Sequence, residues 1–161
     1  MKNTPLDQFE KAKNYCFLLL KFRLRSEKEL YSRLEKKKFD ETIIRKVLDF
    51  LKEKKFIDDL CFSRGWANSR IKKGFGIRRI AQELALKGID KGLIESQISR
   101  IKEDYPQANL ALEIARKRID KMKGLEPEKK KMRIYGYLMR RGFAPDVVMD
   151  VLGQLGGLKQ Q

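Results

Sequence analysis

Three stretches of this chain, beginning at Glu29, Arg79 and Arg133, lie in register over 23 residues without a gap. Leu34, Leu84 and Leu138 coincide, as do Lys37, Lys87 and Arg141, and Phe39, Ile89 and Phe143. Further along, Ile44, Ile94 and Val148 match, then Leu48, Ile98 and Leu152. The starts stand 50 and 54 residues apart, which reads as three similar units in tandem. Units of that size bury their cores partly against their neighbours, so an array is expected and not one ball. The expected units span residues 1–57, 58–105 and 106–161.

Each unit reads as three α-helices, because apolar residues recur at spacings of three and four and no strand-like alternation appears. In the first, a helix over residues 6–24 carries Phe9, Ala12, Cys16, Leu19 and Leu20 on one side. Ser26 with Glu29 forms a capping box for the second helix, and Asp40 is the expected N-cap of the third. In the second unit, Asp58 and Asp59 are placed to cap a helix, and Gly88 to end one. Proline marks the third unit: Tyr105-Pro106 is its border, and Pro145 opens its last helix. The link over residues 123–131 reads as a solvated loop in preference to a polyanion contact, and the tail from Gly156 is expected to fray.

Charge bears on partners. Lys and Arg total 38 against 22 Asp and Glu, with an excess of 7 in residues 1–57, 3 in 58–105 and 6 in 106–161. A surplus running the whole length attracts polyanions: nucleic acid or an acidic protein surface. The basic stretch at residues 70–89 is the focus. Arg70, Lys72, Lys73, Arg78, Arg79 and Lys87 surround Gly74 and Gly76, whose glycines are read as permitting positive φ, and Arg140 and Arg141 repeat the pattern in the third unit. These eight are the candidate binding residues. The G-F-G-I-R-R turn lacks the lysine-serine of a P-loop and the third glycine of a dinucleotide site, so it is not read as a nucleotide cradle. Trp66, the sole tryptophan, is read as a packing residue, with base stacking as the alternative.

Catalytic groups are scarce. The chain has no histidine, and Cys16 and Cys61, 45 residues apart in apolar patterns, read as reduced packing residues. Asp58-Asp59 lacks the companion carboxylates of a two-metal site. Hence no enzyme, cofactor or metal is expected. No signal peptide or membrane span is read either, and a cytoplasmic monomer is the expectation.

The run Ile57-Asp58-Asp59, Phe62, Trp66, Arg70, Gly74-Phe75-Gly76, Arg78, Arg79, Ile80, Glu83, Leu84, Lys87, Gly88, Ile89 closely resembles the central signature of the RecX family, bacterial regulators of the RecA recombinase. Leu24-Arg25-Ser26 followed by Glu29-Leu30, Leu34 and Phe39 is similar to that family's opening. Departures are Ser63 in place of a usual alanine, Ile77 in place of a frequent proline, and Lys38 at the usual helix-ending glycine. The resemblance implies an elongated, curved array of three three-helix repeats lying in the groove of a RecA filament on single-stranded DNA. It also implies restraint of RecA ATP hydrolysis, strand exchange and co-protease action. The alternative from charge alone is a helical protein that binds nucleic acid by itself through phosphate contacts.

Overall fold

The computed structural model describes residues 4–157, which form nine α-helices and no strand. They are α1 (Pro5–Phe22), α2 (Glu27–Lys36), α3 (Glu41–Glu53), α4 (Asp59–Lys72), α5 (Ile77–Leu86), α6 (Lys91–Asp104), α7 (Gln107–Ile119), α8 (Pro127–Arg141) and α9 (Pro145–Gly157). The helices group in threes by contact, α1–α3, α4–α6 and α7–α9. Each group has its own core. Leu30 and Leu34 of α2 pack with Ile44 and Val47 of α3; Ile80 and Leu84 of α5 with Phe62 and Ile101; Ile134 and Leu138 of α8 with Phe143 and Val148. Leu110 packs against both the second and the third core. The accessible surface is 10803 Å², well above the roughly 8,400 Å² expected of a compact single-core monomer of this mass.

The repeat has a local cause. After α2, α5 and α8 the chain turns left-handed, at Lys38 (φ 61°), Gly88 (φ 75°) and Gly142 (φ 90°). In each copy the next amide reaches back over the helix end: Phe39 N to Leu34 O (3.3 Å), Ile89 N to Leu84 O (3.1 Å), Phe143 N to Leu138 O (3.2 Å). Lys38, Gly88 and Gly142 also donate to Glu35, Ala85 and Met139 carbonyls. This pair of bonds is the Schellman motif, which sets an apolar residue after the turn against the one three back from the helix end. The matched leucines and the matched Phe39, Ile89 and Phe143 are that apolar pair, repeated three times.

Several caps stand as the sequence indicates. Ser26 and Glu29 close a capping box, and Asp58 accepts from Leu60 N (2.7 Å) and Cys61 N (3.0 Å). Other expectations are corrected. Asp40 occupies the N-cap of α3 but its side chain makes no capping hydrogen bond. Asp59 accepts its backbone bond from Glu27 N (2.9 Å), so it serves the start of α2 in the neighbouring unit. Gly76 has φ −78°, and its small size is needed for another reason, given below. Pro127 in the first turn starts α8, so Lys129, Lys130 and Lys131 are helical and the basic loop is shorter than expected. The first helix stops at Phe22, two residues early. Cys61 is exposed, whereas Cys16 is buried and its thiol is pushed up to about 11 by burial, so it stays protonated. Helix α9 runs on through Gly157; the rest of the tail lies outside the described residues.

Candidate functional site

The eight candidate cations separate into two kinds. Arg70, Arg79, Lys87 and Arg141 are tied into the molecule, while Lys72, Lys73, Arg78 and Arg140 form no ion pair among the described residues. Arg79, Lys87 and Arg141 sit on the junctions between units, and Arg70 is held inside the second unit by Glu83.

At the first junction Lys87 Nζ reaches Glu29 Oε1 (2.7 Å), and Arg23 grips both oxygens of the same carboxylate (3.0 and 2.9 Å). Burial alone would raise the Glu29 carboxyl, but hydrogen bonds from Arg23, Lys87 and the Ser26 amide outweigh it and hold the group at about 2. Ser26 Oγ donates to the Lys87 carbonyl (2.6 Å). Burial raises the Asp59 carboxyl, opposed by the Glu27 N–H. The start of α2 is thus seated on the end of α5.

The second junction repeats the scheme one unit on. Gly76 N donates to Arg141 O (2.8 Å) and Arg78 N to Gly142 O (3.1 Å), while Ile77 N donates to Gln107 Oε1 (3.2 Å). Arg79 Nη1 reaches Arg140 O (3.3 Å), and Arg141 Nη1 reaches Lys73 O (2.5 Å). A Cβ on Gly76 would overlap the Gly142 carbonyl, which is why a glycine stands there without a positive φ. The start of α5 is seated on the end of α8. Amides at a helix start carry partial positive charge and carbonyls at a helix end partial negative charge, so this end-to-end order is electrostatically favourable.

Glu83 organises the centre of α4 and α5. Its Oε2 accepts from Trp66 Nε1 (2.9 Å) and Arg70 Nε (2.5 Å), and its Oε1 from Arg79 Nε (3.0 Å). Burial opposes its ionisation, yet the bonds from Arg79, Arg70 and Trp66 hold its carboxyl below the ordinary glutamate range. Trp66 stacks on Phe62 at 5.9 Å, with Arg70 (4.4 Å) and Lys87 (4.2 Å) over its ring. Those cations occupy the tryptophan, so it packs within the second unit, between α4 and α5.

Linkage gives a pH signature. The Glu29 carboxyl lies near 2 when folded and near 4.5 ordinarily, so its stabilisation is complete above about 4.5 and fades as pH falls toward 2. Solvent at the rim screens part of it, leaving on the order of 2 kcal/mol. In urea titrations between pH 6 and 3, wild type is expected to lose more stability than Glu29→Gln, and equal slopes would refute this account.

Three of the four untied cations line a groove. Lys72 and Lys73 at the end of α4 meet Lys117, Arg118 and Lys121 of α7, and the groove continues past Tyr137 to Arg133 and Arg140 of α8. Its one lining carboxylate, Glu113, is already held by Lys117 (2.6 Å). Arg118 (5.0 Å) and Arg141 (5.1 Å) lie over the Tyr137 ring. Sequence reasoning passed over Lys117, Arg118, Lys121 and Arg133. The signal was available in the basic last turn of α7 and in Arg133, Tyr137 and Arg140 at spacings of four and three. Arg78 sits apart from this groove's lining, exposed at the start of α5. Among the described residues no three acidic, cysteine or histidine groups come together as a metal site, and no helix is long and apolar enough to cross a membrane.

Comparison with known proteins agrees with this architecture. Family models for the first, second and third three-helix domains of RecX match residues 12–51, 58–96 and 106–152. A protein called Regulatory protein RecX from Haemophilus influenzae (strain PittEE) is 33% identical over 144 residues, 89% of this chain and 93% of the relative. One of the same name from Mycobacterium sp. (strain JLS) is 34% identical over 148 residues, 89% of this chain and 80% of that one. The crystal structure of RecX from Lactobacillus salivarius superposes with a TM-score of 0.81 at 22% identity, covering 94% of this chain and 98% of that one. Three tandem domains in matching order, relatives aligned over nearly nine-tenths of the residues and a shared fold have one reading: the chain belongs to the RecX family of regulatory proteins.

Proposed function

We propose that this protein binds the RecA filament on single-stranded DNA and restrains RecA ATP hydrolysis, strand exchange and co-protease action. It acts on this reading as a cytoplasmic monomer without catalytic chemistry of its own. The observation that carries the reading is the cationic groove on a member of a regulatory family. Lys72, Lys73 and Arg140, with Arg78 on the start of α5, are the contacts proposed. Arg70, Arg79, Lys87 and Arg141 hold the units that present them, the three arginines with guanidinium hydrogens to spare for a phosphate or carboxylate.

The experiment is RecA ATPase on single-stranded DNA, titrated with this protein. Wild type is expected to slow turnover. Lys72→Glu, Lys73→Glu, Arg78→Glu and Arg140→Glu combined, all at exposed positions, should require at least roughly tenfold more protein for half-inhibition with an unchanged helical circular-dichroism signal. A quadruple variant as inhibitory as wild type would refute the placement. Tight, steeply salt-dependent DNA binding with no effect on RecA turnover would establish the autonomous nucleic-acid reading instead.

A further inference from the structure

We infer that the hollow between α7, α8 and α9 is a socket for an acidic peptide of a partner protein, anchored by a bulky apolar side chain. The hollow measures about 310 Å³. Ile119, Pro127, Ile134, Leu152 and Leu155 supply its apolar lining. Arg116, Lys130 and Lys131 bring positive charge to its walls, against Asp120 alone. Arg116 and Lys130 form no ion pair among the described residues, and Lys131 holds the exposed Glu128 (3.0 Å). It lies on a different side of α8 from Arg133, Tyr137 and Arg140, so it is separate from the cationic groove.

The repeat register says what kind of surface this is. Lys130 takes the position of Ser26 and Gly76, and Lys131 that of Glu27 and Ile77. In the first two units those residues dock the following unit, and what they meet are oxygen acceptors: the Lys87 carbonyl and Asp59 carboxylate, then the Arg141 carbonyl and Gln107 amide oxygen. In the third unit α8 begins one turn earlier, at Pro127, so the Lys130 amide is spent on the Glu126 carbonyl (3.0 Å), the lysine side chains stand at this register, and they meet no further unit among the described residues. The Glu126 N-cap of α8 makes no side-chain hydrogen bond. With two lysines where the earlier copies carry neutral or acidic residues, an occupant must bring carboxylates. A second copy of this chain is a poor fit, since the end of its α2 would offer Lys36, Lys37 and Lys38. A peptide with several acidic residues beside a Leu or Phe supplies both the charge and the anchor.

The test is fluorescence anisotropy with the full-length protein and a fluorescein-labelled peptide Asp-Glu-Asp-Asp-Leu-Phe at low salt. Saturable binding is expected. It should weaken at least tenfold in Arg116→Glu/Lys130→Glu, whose fold is checked by an unchanged helical circular-dichroism signal, and equally when the peptide's Phe becomes Ser. Absence of saturable binding, indifference to both changes, or equal affinity for Lys-Arg-Lys-Lys-Leu-Phe would overturn the proposal. So would self-association in sedimentation that the double variant abolishes. Arg116→Glu/Lys130→Glu should leave RecA ATPase inhibition on bare single-stranded DNA unchanged, so this proposal and the filament reading fail separately.

Discussion

Gly142→Ala is expected to unfasten the third unit from the second, with a loss of roughly 3 kcal/mol. Two penalties combine there. The residue sits at φ 90°, and a Cβ would run into the Cβ and the backbone of Arg79. Backbone cannot rotate away as a flexible side chain can, so the Gly76–Arg141 and Arg78–Gly142 hydrogen bonds must stretch or break. The other left-handed glycines supply an internal scale. Gly124→Ala meets nothing within 4 Å, so it carries the backbone strain alone, about 1 kcal/mol. Gly88→Ala meets the Cβ of Lys28 as well as the outer part of that side chain, and a Cβ is fixed to its backbone, so its cost should approach that of Gly142→Ala. Urea denaturation of the three variants checks the order, and hydrogen exchange should show α7–α9 losing protection in Gly142→Ala at denaturant concentrations where α1–α3 keep theirs. If Gly124→Ala costs as much as Gly142→Ala, the account of the junction is wrong.

Glu83→Ala is the second large effect, again roughly 3 kcal/mol, because it leaves three donors without their acceptor and two guanidiniums without their counter-charge. Trp66, Arg70 and Arg79 all lose a partner, and Arg79 also ties α5 to the Arg140 carbonyl. Glu83→Gln keeps the shape and one acceptor oxygen and should cost about half as much. As Trp66 is the only tryptophan, its fluorescence should report the change directly as a shifted emission maximum in Glu83→Ala. Stability unchanged in Glu83→Ala would mean that the cluster is incidental. The same geometry means that charge reversal at Arg79 mixes junction damage with any loss of contact, which is why the filament test uses Arg78 and leaves Arg79 alone.

How far the sequence reaches can be seen residue by residue. Helix starts at Ser26, Asp58 and Pro145 and the helix end at Gly88 were legible because caps act within one turn, and a local pattern carries local hydrogen bonds. The matched leucines and aromatics gave the unit for the same reason. What lay beyond reach is separated along the chain: Ser26 and Lys87 stand 61 residues apart and Arg141 and Lys73 stand 68 apart. Composition showed that cations were abundant but not which were spoken for, so Arg70 and Lys72 looked alike until Glu83 was in place. Gly76 was misjudged because a glycine demanded by a close approach and a glycine demanded by positive φ are the same letter. Gln97, 1% exposed, escaped because a polar residue at an inward helical position reads like one on the outer face, and its Oε1 accepts from Arg100 Nε at 3.3 Å.

Lys38 adopts the left-handed turn that Gly88 and Gly142 adopt at the other two helix ends, and it does so as an exposed side chain. Anyone wishing to engineer a longer protein by grafting another module ahead of α1 would therefore be obstructed at this site by the lysine itself. Lys38→Gly should relieve about 1 kcal/mol of backbone strain and clear room for an incoming helix tip. A lengthened concatemer built on that background, and not on the native lysine, is the one expected to extend the row of stacked middle helices.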